Sequence, residues 1–496
     1  MERQINSCDK TAEQIVAPFI GGQCAQSGSD LRVGVFNPSN GRHLLSIPAG
    51  CEGDVNRAVA VARLAFDDGR WSEAPPSMRK KTLHHLADLI STQGAEFDVL
   101  DAEEMGKPIS VGYANGATAA GLMRFSAEAV DKVTGEVYGS DRNSFVAQRR
   151  VPRGVVAAIV PWNFPTFNAV LKVAPALAAG NSVVLKPSEL SSRSALKLAQ
   201  LALQADLPPG VLNVVPGLGE TVGQALGMHR DVDMVTFTGS TAVGKQMLQY
   251  SGRSNMKVVM AECGGKSPQI VFADGVDLDA ASESIVQLLL TNQGQLCSVG
   301  SRLLVHRSIQ TTVIEKIIAQ LKNIVIGDAL DSNTTFGPVA SARQCERVMG
   351  YIEEAKSDGV RLVTGGKRAL QKSDGYYVEP TIFRDVPTNA RIAREEIFGP
   401  VLAAIPFEDE AEAIHIANDT SYGLAAYVWT ANLSTGMRMA KGIRSSVVIN
   451  ACAPLGEGAG HAYSSEPAGQ SGIGTESGLA GMESYMRRQL LWFNHA

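Results

Sequence analysis

The sequence lacks any uninterrupted apolar run of the ~18 residues that a membrane-spanning helix needs. No membrane partner is therefore expected. It also lacks a basic cluster: 45 Lys and Arg stand against 50 Asp and Glu, for a net charge of −5. Nucleic acid is not an expected partner of such a surface. The opening stretch, MERQINSCDKTAEQ, has neither the basic start nor the apolar middle of a signal peptide, so the expected location is cytoplasmic. The seven cysteines (Cys8, Cys24, Cys51, Cys263, Cys297, Cys345 and Cys452) contain no CxxC pair. That spacing suggests neither a zinc site nor a disulfide framework. No metal is expected, and in a reducing compartment all seven should be free thiols. Internal repeats and low-complexity tracts are also missing.

What remains is an ordinary globular composition, with 45% hydrophobic and 19% charged residues. At roughly 150 residues per domain, 496 residues imply two or three domains. Glycine is the one excess: 49 residues, against a usual ~7%. This suits tight turns and close approach of backbone to a ligand.

Residues 53–66 and 78–96 read as amphipathic helices. From 155 onward the pattern alternates. VVAAIV (155–160) is a continuous apolar run, as expected of a buried parallel strand. FNAVLKVAPALAAG (167–180) reads as a helix, SVVLKPS (182–188) as a strand and SRSALKLAQLALQAD (192–206) as a helix. GVLNVVPG and DMVTFTGS continue the theme. Such alternation implies βαβ units and a parallel sheet. A second α/β stretch begins near 264, with strands in SPQIVFA and SRLLVHRSI and a helix in QTTVIEKIIAQLKNI. The tail, 484–494, reads as a strand with exposed aromatics, which needs a neighbour to satisfy its backbone. A partner subunit is one such neighbour.

Several short segments carry chemistry. Cys297 lies in TNQGQLCSVG, small and polar, after the apolar run SIVQLLL. That setting presents a thiol rather than packing it, although a lone cysteine proves little. Glu262 closes the apolar run VVMA and precedes two glycines. It is either a paired surface charge or a carboxyl whose raised pKa suits a general base. TFTGSTAVGK places a Gly/Ser/Thr turn between a strand and a helix, where backbone N–H groups can hold a phosphate. The spacing matches neither GxGxxG nor a complete P-loop. LKPSE puts Lys186 and Glu189 at a strand's carboxyl end, where ligands bind in parallel sheets. A carboxylate there suits a ribose diol and repels a 2′-phosphate; an exposed turn is the alternative. Asn163, in PWNFP, is either a turn cap or an amide donor to an oxyanion. Glu396 and Phe398, in EEIFGP, mean little alone.

Taken in order, PWNFP, KPSE, FTGST, ECGGKSP, NQGQLC and EEIFGPV resemble the aldehyde dehydrogenase superfamily, from about residue 18 to the end. The flanks are similar to the bacterial subgroup acting on amino-, semi- and aromatic aldehydes. The resemblance implies an α/β fold: a Rossmann-like parallel-sheet cofactor domain (1–131 and 153–263), an α/β catalytic domain (264–465) and a small β oligomerisation element (132–152 and 477–496). It implies Cys297 as nucleophile, Glu262 as general base, Asn163 with the Cys297 N–H as oxyanion hole, and Lys172 in a proton relay. The implied cofactor is NAD, with NAD+ favoured over NADP+ by Glu189. The residues implied around it are Ile159, Pro161, Trp162, Lys186, Ser188, Glu189, Gly219, Phe237, Gly239, Ser240, Val243, Gly264, Gln344, Arg347, Glu396 and Phe398. Thr166, Phe167, Asn168, Leu171, Leu296, Ser298, Leu455 and His461 would line a mainly apolar substrate tunnel. A medium-sized aromatic or aliphatic aldehyde is expected there, in a homodimer or homotetramer. A semialdehyde or aminoaldehyde dehydrogenase, a CoA-acylating enzyme and an inactive NAD-binding protein are the alternatives.

Two departures stand out. Cys263 replaces the usual leucine after Glu262 and adds a second thiol near the site, one that could oxidise with Cys297. The usual PFGGxKxSG becomes AYSSEPAGQSGIG (462–474), with Gly469 at the lysine position. The preceding stretch, APLGEGAGHAYSSEP, is longer than usual and carries Glu457, His461 and Tyr463.

Overall fold

The computed structural model describes residues 16–451 and 461–495. Its framework is two parallel-centred sheets, which is the expected fold class. In the first, strands Leu212–Val214, Ser182–Lys186, Val155–Ile159, Met234–Thr238 and Val258–Glu262 lie side by side in parallel. Every residue of Val155–Ile159 and Ser182–Lys186 is buried, as continuous apolar runs require when helices cover both faces. The chain runs outward from Val155–Ile159 in one direction, then restarts on its other side with Met234–Thr238. That reversal opens a crevice beyond the carboxyl ends of these two strands. Phe19–Ile20 and Gln23–Cys24 close one edge of the sheet, and Gly472–Ile473 closes the other.

The second sheet is centred on Pro268–Val271, Arg302–His306, Val401–Phe407 and Ala425–Trp429, all parallel. In a third, small sheet the terminal strand Met486–Asn494 pairs antiparallel with Ser144–Pro152, which also pairs with Glu136–Tyr138. Among the described residues no helix is long and apolar enough to cross a membrane.

Local departures from the expected elements have physical reasons. The segment 78–96 is not one helix: Pro76–Thr92 ends at Gln93 and Gly94–Met105 follows. The break lets Gly94 meet Gly116 closely, where a Cβ on Gly116 would lie 2.6 Å from the Gly94 Cα. The helix expected from 167 starts earlier, as Pro165–Ala178, because a proline at the first position sacrifices no internal hydrogen bond. Free thiols are found at Cys51, Cys263, Cys297 and Cys345, but Cys24 is disulfide-bonded. Linear spacing carried no sign of that bridge, because bridging depends on where chain segments meet in space. Cys8, Cys452, Leu455 and Glu457 lie outside the described residues.

Candidate active site

A cavity of ≈1140 Å³ occupies the crevice and is walled by both large sheets. Pro161, Trp162 and Asn163 reach it from beyond Val155–Ile159, and Gly239 and Ser240 from beyond Met234–Thr238. Glu262, Cys263 and Gly264 enter at the end of Val258–Glu262. Leu296, Cys297 and Ser298 come from the turn that follows helix Leu278–Leu290.

That turn is left-handed at Asn292 (φ 48°) and Gln293 (φ 57°), and side chains hold it there. The Asn292 amide donates to the Asn163 carbonyl at 2.6 Å, and the Asn163 amide donates to the Gln295 carbonyl at 3.0 Å. Asn168 donates to the Asn163 Oδ1 at 3.2 Å. The Asn163 amide is thereby oriented with one N–H engaged and a second left over. Behind Cys297 the backbone approaches so closely that a Cβ on Gly265 would lie 2.4 Å from the Cys297 carbonyl. The Tyr427 hydroxyl donates to the next carbonyl, that of Ser298, at 3.0 Å.

The charge environment is protonating. Burial, with Glu396 and Glu262 adding negative charge, pushes the Cys297 thiol up to about 12. Glu262 is pushed up to about 9 by burial and then by Glu476, with Lys172 pulling the other way. Its Oε1 has no hydrogen-bond partner among the described residues. Lys172 is fully buried and ion-paired with Glu476. Cys263 faces away, toward the helix Thr241–Arg253: a Cβ on Gly244 would lie 2.6 Å from its sulfur. Burial, with Glu262 and Glu396 adding negative charge, pushes that thiol up to about 11.

The other half of the cavity holds a helix N-terminus, two carboxylates and an aromatic pair. Ser240 caps the thirteen-residue helix Thr241–Arg253, its hydroxyl accepting from the Val243 N–H at 3.4 Å. Glu396 accepts from the Gly265 N–H at 3.1 Å and fills the space that a Cβ on Gly264 would need, at 2.3 Å. Burial raises its pKa. Phe398 stands edge-on to Trp162, with ring centroids 5.3 Å apart. Gln344 and Arg347 line the cavity but spend hydrogen bonds on the 396–398 backbone, Gln344 to the Phe398 carbonyl at 2.6 Å and Arg347 to the Glu396 carbonyl at 2.7 Å. Glu189 also lines it.

Of the remaining residues singled out in the sequence, Phe167, Asn168, Leu171 and His461 line the cavity. Ile159, Thr166, Lys172, Lys186, Ser188, Gly219, Phe237 and Val243 do not; they stand behind it or outside it. Lys186 is buried, its amine donating to the Pro187 carbonyl at 3.0 Å, and burial lowers its pKa. Ser188 accepts from the Leu190 N–H at 3.3 Å, shaping the turn that carries Glu189. Thr166 binds Asp101. Glu476 was not legible as a site residue. The departing stretch 462–474 stops two residues before it, and a lone acid among glycines was its only signal. Among the described residues no group of His, Cys, Asp or Glu could hold a metal ion.

A family model described as the aldehyde dehydrogenase family matches residues 25–491. The NADP/NAD-dependent aldehyde dehydrogenase PuuC of Escherichia coli (strain K12) is 41% identical over 484 residues, covering 96% of this chain and 95% of its own. The phenylacetaldehyde dehydrogenase of Pseudomonas fluorescens is 41% identical over 483 residues, covering 94% and 93%. Among solved structures, a mutant of the P. syringae indole-3-acetaldehyde dehydrogenase AldA, in complex with NAD+ and IAA, is 45% identical. It covers 96% of each chain, with a TM-score of 0.93.

Proposed function

The chain belongs to the aldehyde dehydrogenase family, and from that premise we propose that it oxidises a medium-sized aromatic or aliphatic aldehyde to its carboxylic acid, with NAD+ preferred over NADP+. The observation that carries this reading is one cavity holding Cys297, Glu262 and Asn163 on one side and the Ser240 cap, Glu189 and Glu396 on the other.

The residues present fit the cofactor. The free N–H groups of a helix N-terminus suit a pyrophosphate, and Glu189 and Glu396, the latter seated where glycine at 264 leaves space for its carboxylate, suit ribose hydroxyls. When bound, NAD+ supplies the hydride acceptor that no side chain provides. Glu189 would repel a 2′-phosphate, which favours NAD+.

The chain's own residues do the rest. Cys297 gives its proton to ionised Glu262, which later releases it to solvent, and its sulfur bonds the aldehyde carbon, breaking the C=O π bond. The second N–H of Asn163 and the Cys297 backbone N–H hold the oxygen that takes the charge. After oxidation a thioester remains on the sulfur. Glu262, once ionised, takes a proton from water, which attacks the thioester; the C–S bond breaks, and acid and thiol are released. A carboxyl with a raised pKa is a better proton acceptor than an ordinary one. Lys172 and Glu476 adjust it from behind.

The wall residues Phe167, Leu171 and Leu296 favour an apolar chain or ring over a small charged semialdehyde or aminoaldehyde. A CoA-acylating enzyme has no need of a water-activating base, which argues against that alternative. We assign 1–131 and 153–263 to cofactor binding and 264–465 to catalysis. The third sheet, with 132–152 and 477–496, serves oligomerisation as a homodimer or homotetramer. A cytoplasmic location belongs to the same reading, and the Cys24 bridge would meet a reducing environment there.

The test is NADH formation by purified protein with NAD+ or NADP+ and a panel of aliphatic, aromatic and charged aldehydes, with and without CoA. Turnover with NAD+ on apolar aldehydes, unaffected by CoA, is expected. NAD+ binding without turnover of any aldehyde would instead indicate an inactive binding protein.

A further inference from the structure

His461 belongs to the segment whose sequence departs from the family, and its position has a counterpart in the fold. It lines the main cavity and also a small adjoining one of ≈20 Å³, which Cys297 does not reach. Its ring stands against the helix Gly116–Ala129, edge-on to Phe125, with centroids 6.5 Å apart. It meets that helix at Gly121, where an added Cβ would lie 2.8 Å from the His461 Nε2. A glycine inside a helix is destabilising relative to alanine. Its neighbours Ala119, Ala120, Leu122 and Met123 are better helix formers and are buried. The glycine makes sense as a notch that admits the imidazole.

The surrounding wall combines apolar Leu122, Leu171 and Phe167 with Glu476 and Ser477, which line both cavities beside it. Against it, the His461 ring nitrogens make no hydrogen bond among the described residues, and neither does the hydroxyl of Tyr463, two residues on, which also lines the cavity. Burial lowers the His461 pKa, so the ring is neutral near neutral pH and can both donate and accept. A half-buried imidazole at the cavity wall can hydrogen-bond a ligand that enters the cavity.

Resting on the function proposed above, we infer that His461, seated in the Gly121 notch, is a specificity-determining residue that hydrogen-bonds a polar atom of the substrate remote from its aldehyde group. The favoured substrates are then aldehydes whose apolar body ends in a hydroxyl or ring N–H, rather than plain hydrocarbons.

The experiment compares phenylacetaldehyde with para-hydroxyphenylacetaldehyde in the wild type, His461→Phe, His461→Gln and Gly121→Ala. Phenylalanine keeps the apolar contact and removes the hydrogen bond, while glutamine restores one. Alanine at 121 suits a helix better than glycine, so folding is not at risk, and its methyl displaces the imidazole. The expected result is a fall of roughly three- to tenfold in the kcat/KM ratio of hydroxylated to plain aldehyde in His461→Phe and Gly121→Ala, with partial recovery in His461→Gln. An unchanged ratio in both would overturn the inference.

Calorimetric binding of the two corresponding acids to the NAD+-loaded protein gives a second readout that needs no turnover. If the wild type turns over neither aldehyde, the proposed function fails. The His461 inference is still decided by whether His461→Phe weakens the hydroxylated acid selectively.

Discussion

Lys172, fully buried in the helix Pro165–Ala178, is ion-paired with Glu476, 304 residues further along the chain. Burial raises the Glu262 pKa most, and the pair adjusts it: Glu476 raises it further and Lys172 lowers it. Glu262 acts as a base only when ionised, so the rate should rise with pH on the way to about 9. Removing the negative neighbour makes ionisation easier. Glu476→Gln should therefore move the rising limb of the kcat–pH profile to lower pH. Lys172→Met should move it higher, and it also leaves Glu476 without its partner. Breaking a buried pair costs ~3–5 kcal/mol, so a lowered Tm is expected for that variant. Parallel pH profiles of the three proteins check the signs.

Asn163 is held by two other asparagines and a glutamine carbonyl, which leaves one N–H for the substrate oxygen. Asn163→Ala should lower kcat by ~10²–10³, with NAD+ binding by fluorescence little changed. A loss confined to KM would mean that the amide only shapes the turn.

The charge of Glu189 is the proposed source of cofactor preference. Glu189→Ser should raise kcat/KM for NADP+ and lower it for NAD+, since a diol partner is lost and a repulsion removed. Steady-state kinetics with both cofactors measure this, and an unchanged ratio would place Glu189 outside the ribose contact.

The third sheet exposes Val137, Tyr138, Phe145, Leu490, Trp492 and Phe493 together. Exposed apolar patches of this kind mark association sites. Leu490 and Trp492 are two residues apart on one strand and so share a face. Leu490→Glu with Trp492→Glu should shift the protein to a smaller species in light scattering. An unchanged mass would move the interface elsewhere.

The alternating framework was legible because strands such as Val155–Ile159 are unbroken apolar runs and the helices between them carry an amphipathic repeat. The motifs around Asn163, Glu189, Gly239 and Glu262 were legible for a related reason: each sits at or just beyond the carboxyl end of such a strand, whereas Cys297 follows a helix and Glu396 precedes a strand. Less legible were features set by long-range meetings. The division at Gln93 follows from Gly94 touching Gly116. Glu476 gains its meaning only from Lys172. Gln344 and Arg347 sit at the cavity, yet their bonds to the 396–398 backbone depend on a loop fifty residues away.

The central claim is that Cys297 carries the acyl group. The direct measurement is acid quenching of the wild-type protein during turnover of phenylacetaldehyde with NAD+, followed by peptide mapping, beside NADH formation by Cys297→Ala. The account predicts an acyl thioester on the Cys297 peptide and no NADH from the variant. An acyl group on any other residue, or NADH from Cys297→Ala at the wild-type rate, would contradict it.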